Sequence, residues 1–487
     1  MAEGKIIAIP APSAAAQYQF LAFAALVVLS IWGALALEQI FFLALPFAAL
    51  VLYQAVVDYE KLYLLMWACV PISTEIFLPN GLGTDLPVEP LIIGLMLLYV
   101  VRLISRPETL KNGFISHPIA VFLLLHLLWT GYTTIISDNI GVSIKFLLAK
   151  IWYIITFFYF SGHILRDAGA WKRVFWWFLI PFVLAVTKVV LHHAVLSFGF
   201  REINTATSPF FRNHVSYAAI LALFLPIAWF ARHLYARFSI AWWIIWASMG
   251  LLFFALLFAY TRAAYVALVL AIMAYWVVRF KLMRWGLAAA GIIAVVAVGY
   301  LSQGNKFMDL APTERTVAHE DFEDIVAATY KLEDVSTMER YYRWVAAVRM
   351  SQYDLWAGYG PGNFYSFYKG YTLNRFTTYV SDNPEQSGVH NYYLMLLVEQ
   401  GLLGMLIFVA LNFAILIYGE RLYHQLTDEK MRAILMAALL STVVIFAFLL
   451  MNDMIETDKV GSFFFFNMAV IISVGQWNKR SKNISNK

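Results

Sequence analysis

Long apolar runs separated by short polar ones recur along nearly the whole chain, near positions 18–36, 39–57, 62–78, 87–104, 118–136, 146–163, 174–196, 214–231, 240–259, 263–278, 286–302, 391–418, 433–451 and 460–477. Most approach the roughly 20 residues that an α-helix needs to cross a ~30 Å hydrocarbon layer. They are apolar on every face and lack the period-two alternation of membrane β-strands, so they predict helices. Very short breaks divide the first pair and the 241–278 stretch, which puts the expected count at 12–14 spans. The fold class expected is an all-α polytopic membrane protein with one long loop that contains short amphipathic helices. Three regions follow: 1–302 with the first eleven spans, the loop 303–390, and 391–487 with the last spans and a short basic tail.

Composition agrees with this pattern. Of 487 residues 62% are hydrophobic and 13% charged, and the mean hydropathy of +0.70 lies outside the range of soluble domains. A net charge of +5 is that of a chain with basic cytoplasmic loops, so no nucleic-acid partner is expected. The single cysteine, Cys69, rules out a disulfide framework and a cysteine metal site. Residues 1–19 contain one base, Lys5, and run into the first span, which reads as a retained anchor.

Lys and Arg then set the orientation. Basic clusters at Arg102/Arg106/Lys111, Arg166/Lys172/Arg173, Arg232/Arg237, Arg279/Lys281/Arg284, Arg421/Lys430/Arg432 and Lys479/Arg480/Lys482/Lys487 all fall on one side. The alternate connections at 79–86, 137–145 and 452–459 are poor in bases. Both termini are therefore expected in the cytoplasm and the long loop on the opposite face.

That loop contains the candidate chemistry. Its acidic run Glu320-Asp321-Phe322-Glu323-Asp324 reads as a solvated charge run rather than a cation site, for want of a matching oxygen-ligand pattern. Ser336-Thr337-Met338-Glu339 has the form of a capping box and predicts a helix start. On that helix Arg340, Trp344 and Val348 share a stripe, with one Arg aimed inward and Arg343 three residues on. Gly358-Tyr359-Gly360-Pro361-Gly362 predicts a sharp turn.

Arg212, Arg262 and Arg340 lie outside the basic clusters, the first two at outer ends of spans. Guanidinium forks bind phosphate oxygens bidentately, and such a group at the membrane edge suits a lipid diphosphate; each taken alone is equally a snorkelling interfacial arginine. His390 stands where the loop re-enters the membrane. The positive end of a helix dipole favours a neutral ring there, either a general base or a polar anchor. Glu399 follows roughly 13 Å along the helix axis and is either a substrate contact or a packed structural acid. Tyr365, Tyr368 and Tyr371 are either sugar-stacking faces or interfacial aromatics.

Four blocks in order, Arg212-Asn213-His214, Thr261-Arg262-Ala263, Arg340-x-x-x-Trp344 leading to Gly358-Tyr359-Gly360-Pro361-Gly362-Asn363-Phe364, and His390-Asn391-Tyr392-Tyr393-Leu394 with Glu399-x-Gly401, resemble the O-antigen ligase and O-antigen polymerase superfamily. The resemblance implies a metal-independent glycosyltransferase, without a cofactor, at the periplasmic face of the bacterial inner membrane. The donor implied is an undecaprenyl-diphosphate-linked glycan, and the acceptor is lipid A-core or a growing glycan. Carried over by position, Arg262, Arg340 and His390 are catalytic candidates and Arg212 a substrate-binding one; Arg343, Asn391, Tyr365 and Glu399, not carried over, are further substrate-binding candidates. Neutral His390 would activate the acceptor hydroxyl while the arginines stabilise the departing diphosphate, giving inversion by direct displacement. A ligase is favoured over a polymerase. The reading from a different class is a polysaccharide transporter with Lys150, Lys188 and Glu399 as pathway charges; against it, the chain shows no internal repeat.

Overall fold

The computed structural model describes residues 14–77, 83–106, 113–303, 308, 335–377, 381–383 and 387–485. It separates into two compact units, Met1–Leu65 and Met66–Lys487. The first contains α1 (Ala14–Ala36), a full span, and α2 (Leu45–Val57). The expected span at 39–57 is corrected: Ile40–Ala44 is a 3-10 turn, and a helix the length of α2 reaches only about 20 Å. The expected span at 62–78 is corrected too. Helix α3 (Tyr59–Cys69) stops before Pro71, which has no N–H to continue the ladder. The chain then forms a hairpin of β1 (Thr74–Phe77) and β2 (Gly83–Leu86), with Thr74 opposite Leu86.

The larger unit continues through α4 (Val88–Ser105), α5 (Pro118–Ile135), α6 (Ile140–Tyr153, prolonged by a π-helical stretch to Phe160), α7 (Ala168–Val195), α8 (His214–Ala231), α9 (Ile240–Leu257), α10 (Arg262–Arg279) and α11 (Met283–Ser302). After α12 (Val335–Met350) come α13 (Tyr392–Gln425), α14 (Glu429–Leu449) and α15 (Asp458–Ser485). Among the described residues twelve helices are long and apolar enough to cross a membrane. The protein is an all-α, multi-pass membrane protein. The break expected within 241–278 falls between Leu257 and Arg262.

Helices α14 and α15 form the centre, with 83% and 94% of their apolar windows buried, against 0% for α11. Helices α8 and α10 pack along α14, and α13 packs along α5. In lipid this packing rests on close contact rather than on exclusion of water, so small residues decide it. At Gly419 of α13 an added Cβ would come within 2.3 Å of Leu439 on α14. Trp67 sits among Phe157, Phe178, Phe463 and Phe466 in edge contacts with centroids 4.7 to 6.0 Å apart.

One end of this bundle collects the polar caps. Asn213 caps α8 by accepting from the Ser216 amide at 2.9 Å, and Asn391 caps α13 by accepting from Leu394 at 3.0 Å. The Asn391 Nδ2 group also donates to the Leu450 carbonyl at 3.0 Å, which ties the α14–α15 connection to the start of α13.

Candidate functional site

The glycine-rich turn is built into the membrane helix that follows it. Gly401 has φ +67 and breaks the helical path of α13, which frees carbonyls that a continuous helix would use internally. The Tyr359 amide donates to the Val398 carbonyl at 3.0 Å, Gly360 to Glu399 at 2.9 Å, and Leu402 to Leu355 at 2.7 Å. Gly358 needs its missing side chain, since a Cβ would lie 2.3 Å from the Val398 oxygen. Glu399, 3% exposed, accepts the Gly362 amide at 2.9 Å on one oxygen and the Phe364 amide at 3.1 Å on the other. Its carboxylate thus holds the turn. Ser143 donates to the Pro361 carbonyl at 2.7 Å, and Asn363 Nδ2 to Ser137 Oγ at 2.7 Å, which fastens the same turn to α6 and to the α5–α6 connection.

His390 lies two residues before α13, with φ +57, a conformation uncommon for a residue with a side chain. Two groups from the α14–α15 connection hold it. Its backbone N–H donates to Asp453 Oδ2 at 3.1 Å, and its Nδ1 lies 3.3 Å from Asn452 Oδ1. An amide oxygen only accepts, so with Asn452 in this orientation the ring proton sits on Nδ1 and the Nε2 lone pair is available. Burial first, then the positive charges of Arg343 and Arg340, lower the His390 pKa to about 3. Burial and the two guanidinium charges thus favour the neutral ring. Burial also pushes the Asp453 carboxyl up to about 7, with the Glu456 charge adding to it, against the lowering effect of its backbone bond from His390. The second oxygen of Asp453 is buried with no hydrogen-bond partner among the described residues.

Helix α12 presents a different face from the expected one. Met338, Glu339, Tyr342, Arg343, Ala346, Ala347 and Met350 are buried, while Val348 is 47% exposed. Arg343, at 6% exposure, is the arginine most nearly enclosed among the described residues, and Arg340 is half-buried. Small and flexible apolar residues make the inner face, and Arg343 is tolerated within it beside Glu339, 3.5 Å away. Glu339 also accepts from Ser381 Oγ at 2.5 Å. The expected partner of Glu339 in a capping box, the Ser336 side chain, lies outside the described residues, as does the acidic run at 320–324.

Arg340 lies within electrostatic reach of both His390 and His214. The Nδ1 atom of His214 is 2.9 Å from Asn204 Oδ1, and the hydroxyl of Thr261 donates to the His214 carbonyl at 3.4 Å. The start of α10, with half-buried Arg262, is in this way tied to the start of α8. Arg212 is exposed in the bend before α8. Tyr365 is half-buried against Tyr368. Tyr368 is fully enclosed, with Asn383 donating to its hydroxyl at 3.2 Å, so it packs the loop and offers no face to a sugar.

Lys150 is paired with Glu456 at 3.0 Å and donates to the Tyr392 hydroxyl, which itself donates to Glu456 at 2.6 Å. Lys188 donates to the Ala206 and Ser208 carbonyls. The charges that a transport path would use are thus engaged locally. Among the described residues no three His, Cys, Asp or Glu side chains group as a metal site.

Asn452 and Asp453 were not expected at the site. Their signal in the sequence is an Asn-Asp pair that opens a short acidic connection between two strongly apolar runs.

These features define a multi-pass membrane protein with a neutral histidine and two arginines gathered at one end of its bundle. Residues 247–409 match the family model described as O-antigen ligase. The match supports the O-antigen ligase and polymerase superfamily and, with it, a glycosyltransferase-like activity of the O-antigen ligase or polymerase type. It takes in Arg262, Arg340, Arg343, His390 and Glu399, whereas Arg212, Asn452 and Asp453 lie outside it. No curated protein matches the chain.

Proposed function

We propose that the protein is an inverting glycosyltransferase of the bacterial inner membrane. On its periplasmic face it moves a glycan from undecaprenyl diphosphate to an acceptor hydroxyl, as an O-antigen ligase acting on lipid A-core. The observation that carries this reading is His390, neutral and held at its backbone N–H and its Nδ1, within the field of Arg340 and Arg343. In the proposed step, Nε2 of His390 takes the proton of the acceptor hydroxyl as its oxygen attacks the anomeric carbon. The bond from that carbon to the diphosphate oxygen breaks, and the leaving group departs with the electron pair. Arg340 and Arg343, with Arg262 at the head of α10, oppose the growing negative charge. Glu399 acts indirectly, by holding the turn that follows α12, and Asn391 by capping α13 and binding the α14–α15 connection.

The test is transfer from a purified lipid-diphosphate glycan to lipid A-core, or to a second donor molecule, with chelator present. Transfer to lipid A-core supports the ligase. Elongation of the second donor alone would make the protein a polymerase, and a product with retained configuration would remove direct displacement.

Two variants probe the roles. Arg340→Lys keeps the charge and loses the fork; transfer is expected to fall by roughly 10²-fold if both phosphate contacts are lost in the transition state. Unchanged transfer would argue against bidentate binding. Asn452→Leu removes the acceptor at His390 Nδ1 and is expected to cost about tenfold in kcat, the worth of one hydrogen bond. Asn452→Asp should restore the rate but move the acid limb of the pH profile upward, because a carboxylate beside Nδ1 raises the ring pKa. An unmoved limb would separate Asn452 from the tautomer of His390.

A further inference from the structure

At the end of the bundle remote from His390, α8, α9 and α10 leave an apolar groove of about 850 Å³, bordered by Trp229, Trp246, Phe253, Ile272 and Trp276. Beside it lies a second cavity of about 580 Å³, which shares the walls Phe230, His233 and Tyr275 with it and carries Arg279, Lys430 and Arg432. From His214 beside the candidate site to Arg232 at this groove is roughly 27 Å along α8. The two features therefore sit at opposite ends of the same helices.

The mouth of the groove is built for an anion. The guanidinium of Arg232 lies 3.7 Å from the ring centre of Trp229 and 5.0 Å from that of Trp246, and its Nε donates to the Trp229 carbonyl at 3.0 Å. This fixes the side chain, and its terminal amino groups have no acceptor among the described residues. Nε of Arg432 is buried with no hydrogen-bond partner among them. The carboxylates present are Asp428 and Glu429, and Asp428 is engaged at the head of α14 by the Lys430 and Met431 amides at 2.7 and 2.9 Å. Arg232, Arg279, Lys430 and Arg432 thus outnumber the acids. Inside the groove, Gly250 of α9 has nothing within 4 Å of an added Cβ, so the slot is open there.

We infer that this groove binds one anionic phospholipid of the host bilayer, its acyl chain between α9 and α10 and its phosphate at Arg232 and Arg432. A neutral headgroup would leave the excess of cations uncompensated. A lipid diphosphate reacting near His390 has its charge at the other end of the helices.

The experiment is native mass spectrometry and thermal unfolding of the purified full chain with phosphatidylglycerol or phosphatidylcholine of the same acyl composition. Phosphatidylglycerol is expected to remain bound and to raise Tm; phosphatidylcholine is not. In the double variant Arg232→Gln, Arg432→Gln, affinity for phosphatidylglycerol should fall about tenfold or more. Gly250→Leu fills the open slot and should lower retention while the protein still elutes as a single species, which separates loss of the groove from misfolding. Equal retention of both lipids, undiminished binding in the double variant, or displacement of phosphatidylglycerol by undecaprenyl phosphate would each overturn the inference.

Discussion

His390→Ala is expected to lower glycan transfer by about 10²- to 10⁴-fold, the contribution of a positioned general base, while donor binding is retained. A companion pH experiment makes the expectation sharper. The base acts only when neutral, so activity falls as pH drops through its pKa. In the free protein burial and the two arginines hold that pKa at about 3. The negative charge of an arriving diphosphate opposes Arg343 and Arg340 and so removes part of what disfavours the imidazolium. The ring becomes a stronger base once the donor is bound. The acid limb of kcat, which reports the complex, should therefore lie at higher pH than that of kcat/KM, which reports the free enzyme. Undiminished transfer in His390→Ala removes the residue as base, and coincident limbs remove the coupling.

Gly401→Ala should be nearly as damaging, without touching any reacting group. The glycine has φ +67 and ψ −177, a region closed to residues with a side chain at a cost of about 1–3 kcal/mol. Its added Cβ would also fall 2.0 Å from the Trp356 carbonyl oxygen, which is backbone and cannot swing aside. Either the helix break straightens or the turn lifts away, and both release Glu399 from the amides of Gly362 and Phe364. Transfer near background and a lowered Tm are expected. The control is Gly370→Ala, where an added Cβ meets nothing within 4 Å. Equal tolerance of the two changes would show that the docked turn is unimportant.

Much of this arrangement is legible in the apolar pattern. The short break within 241–278 separates two helices because Ala259-Tyr260-Thr261 interrupts runs that are otherwise long enough to span. The pattern misleads where length conceals chemistry. Residues 62–78 are mostly apolar, but Pro71 ends the helix, and Thr74-Glu75-Ile76-Phe77 after it pair as the first strand of a hairpin. On α12 the buried face contains a Glu339–Arg343 pair that neutralises itself, so periodicity of hydrophobicity alone points to the Trp344 and Val348 side. Motif order marked His390 and the arginines of the loop. It could not show Asn452 and Asp453, because their contacts to His390 cross 62 and 63 positions of sequence and depend on α13 and α14 being antiparallel neighbours.

The break in α13 has one more consequence. Because the turn and the broken helix satisfy each other's backbone groups, neither can open alone. The Tyr359 and Gly360 amides, outside the span, and the Leu402 amide, inside it, close a single hydrogen-bonded set. In hydrogen–deuterium exchange these three positions should open together, with one free energy. A connecting loop ordinarily exchanges fast; this segment should be as slow as the transmembrane helix that it completes.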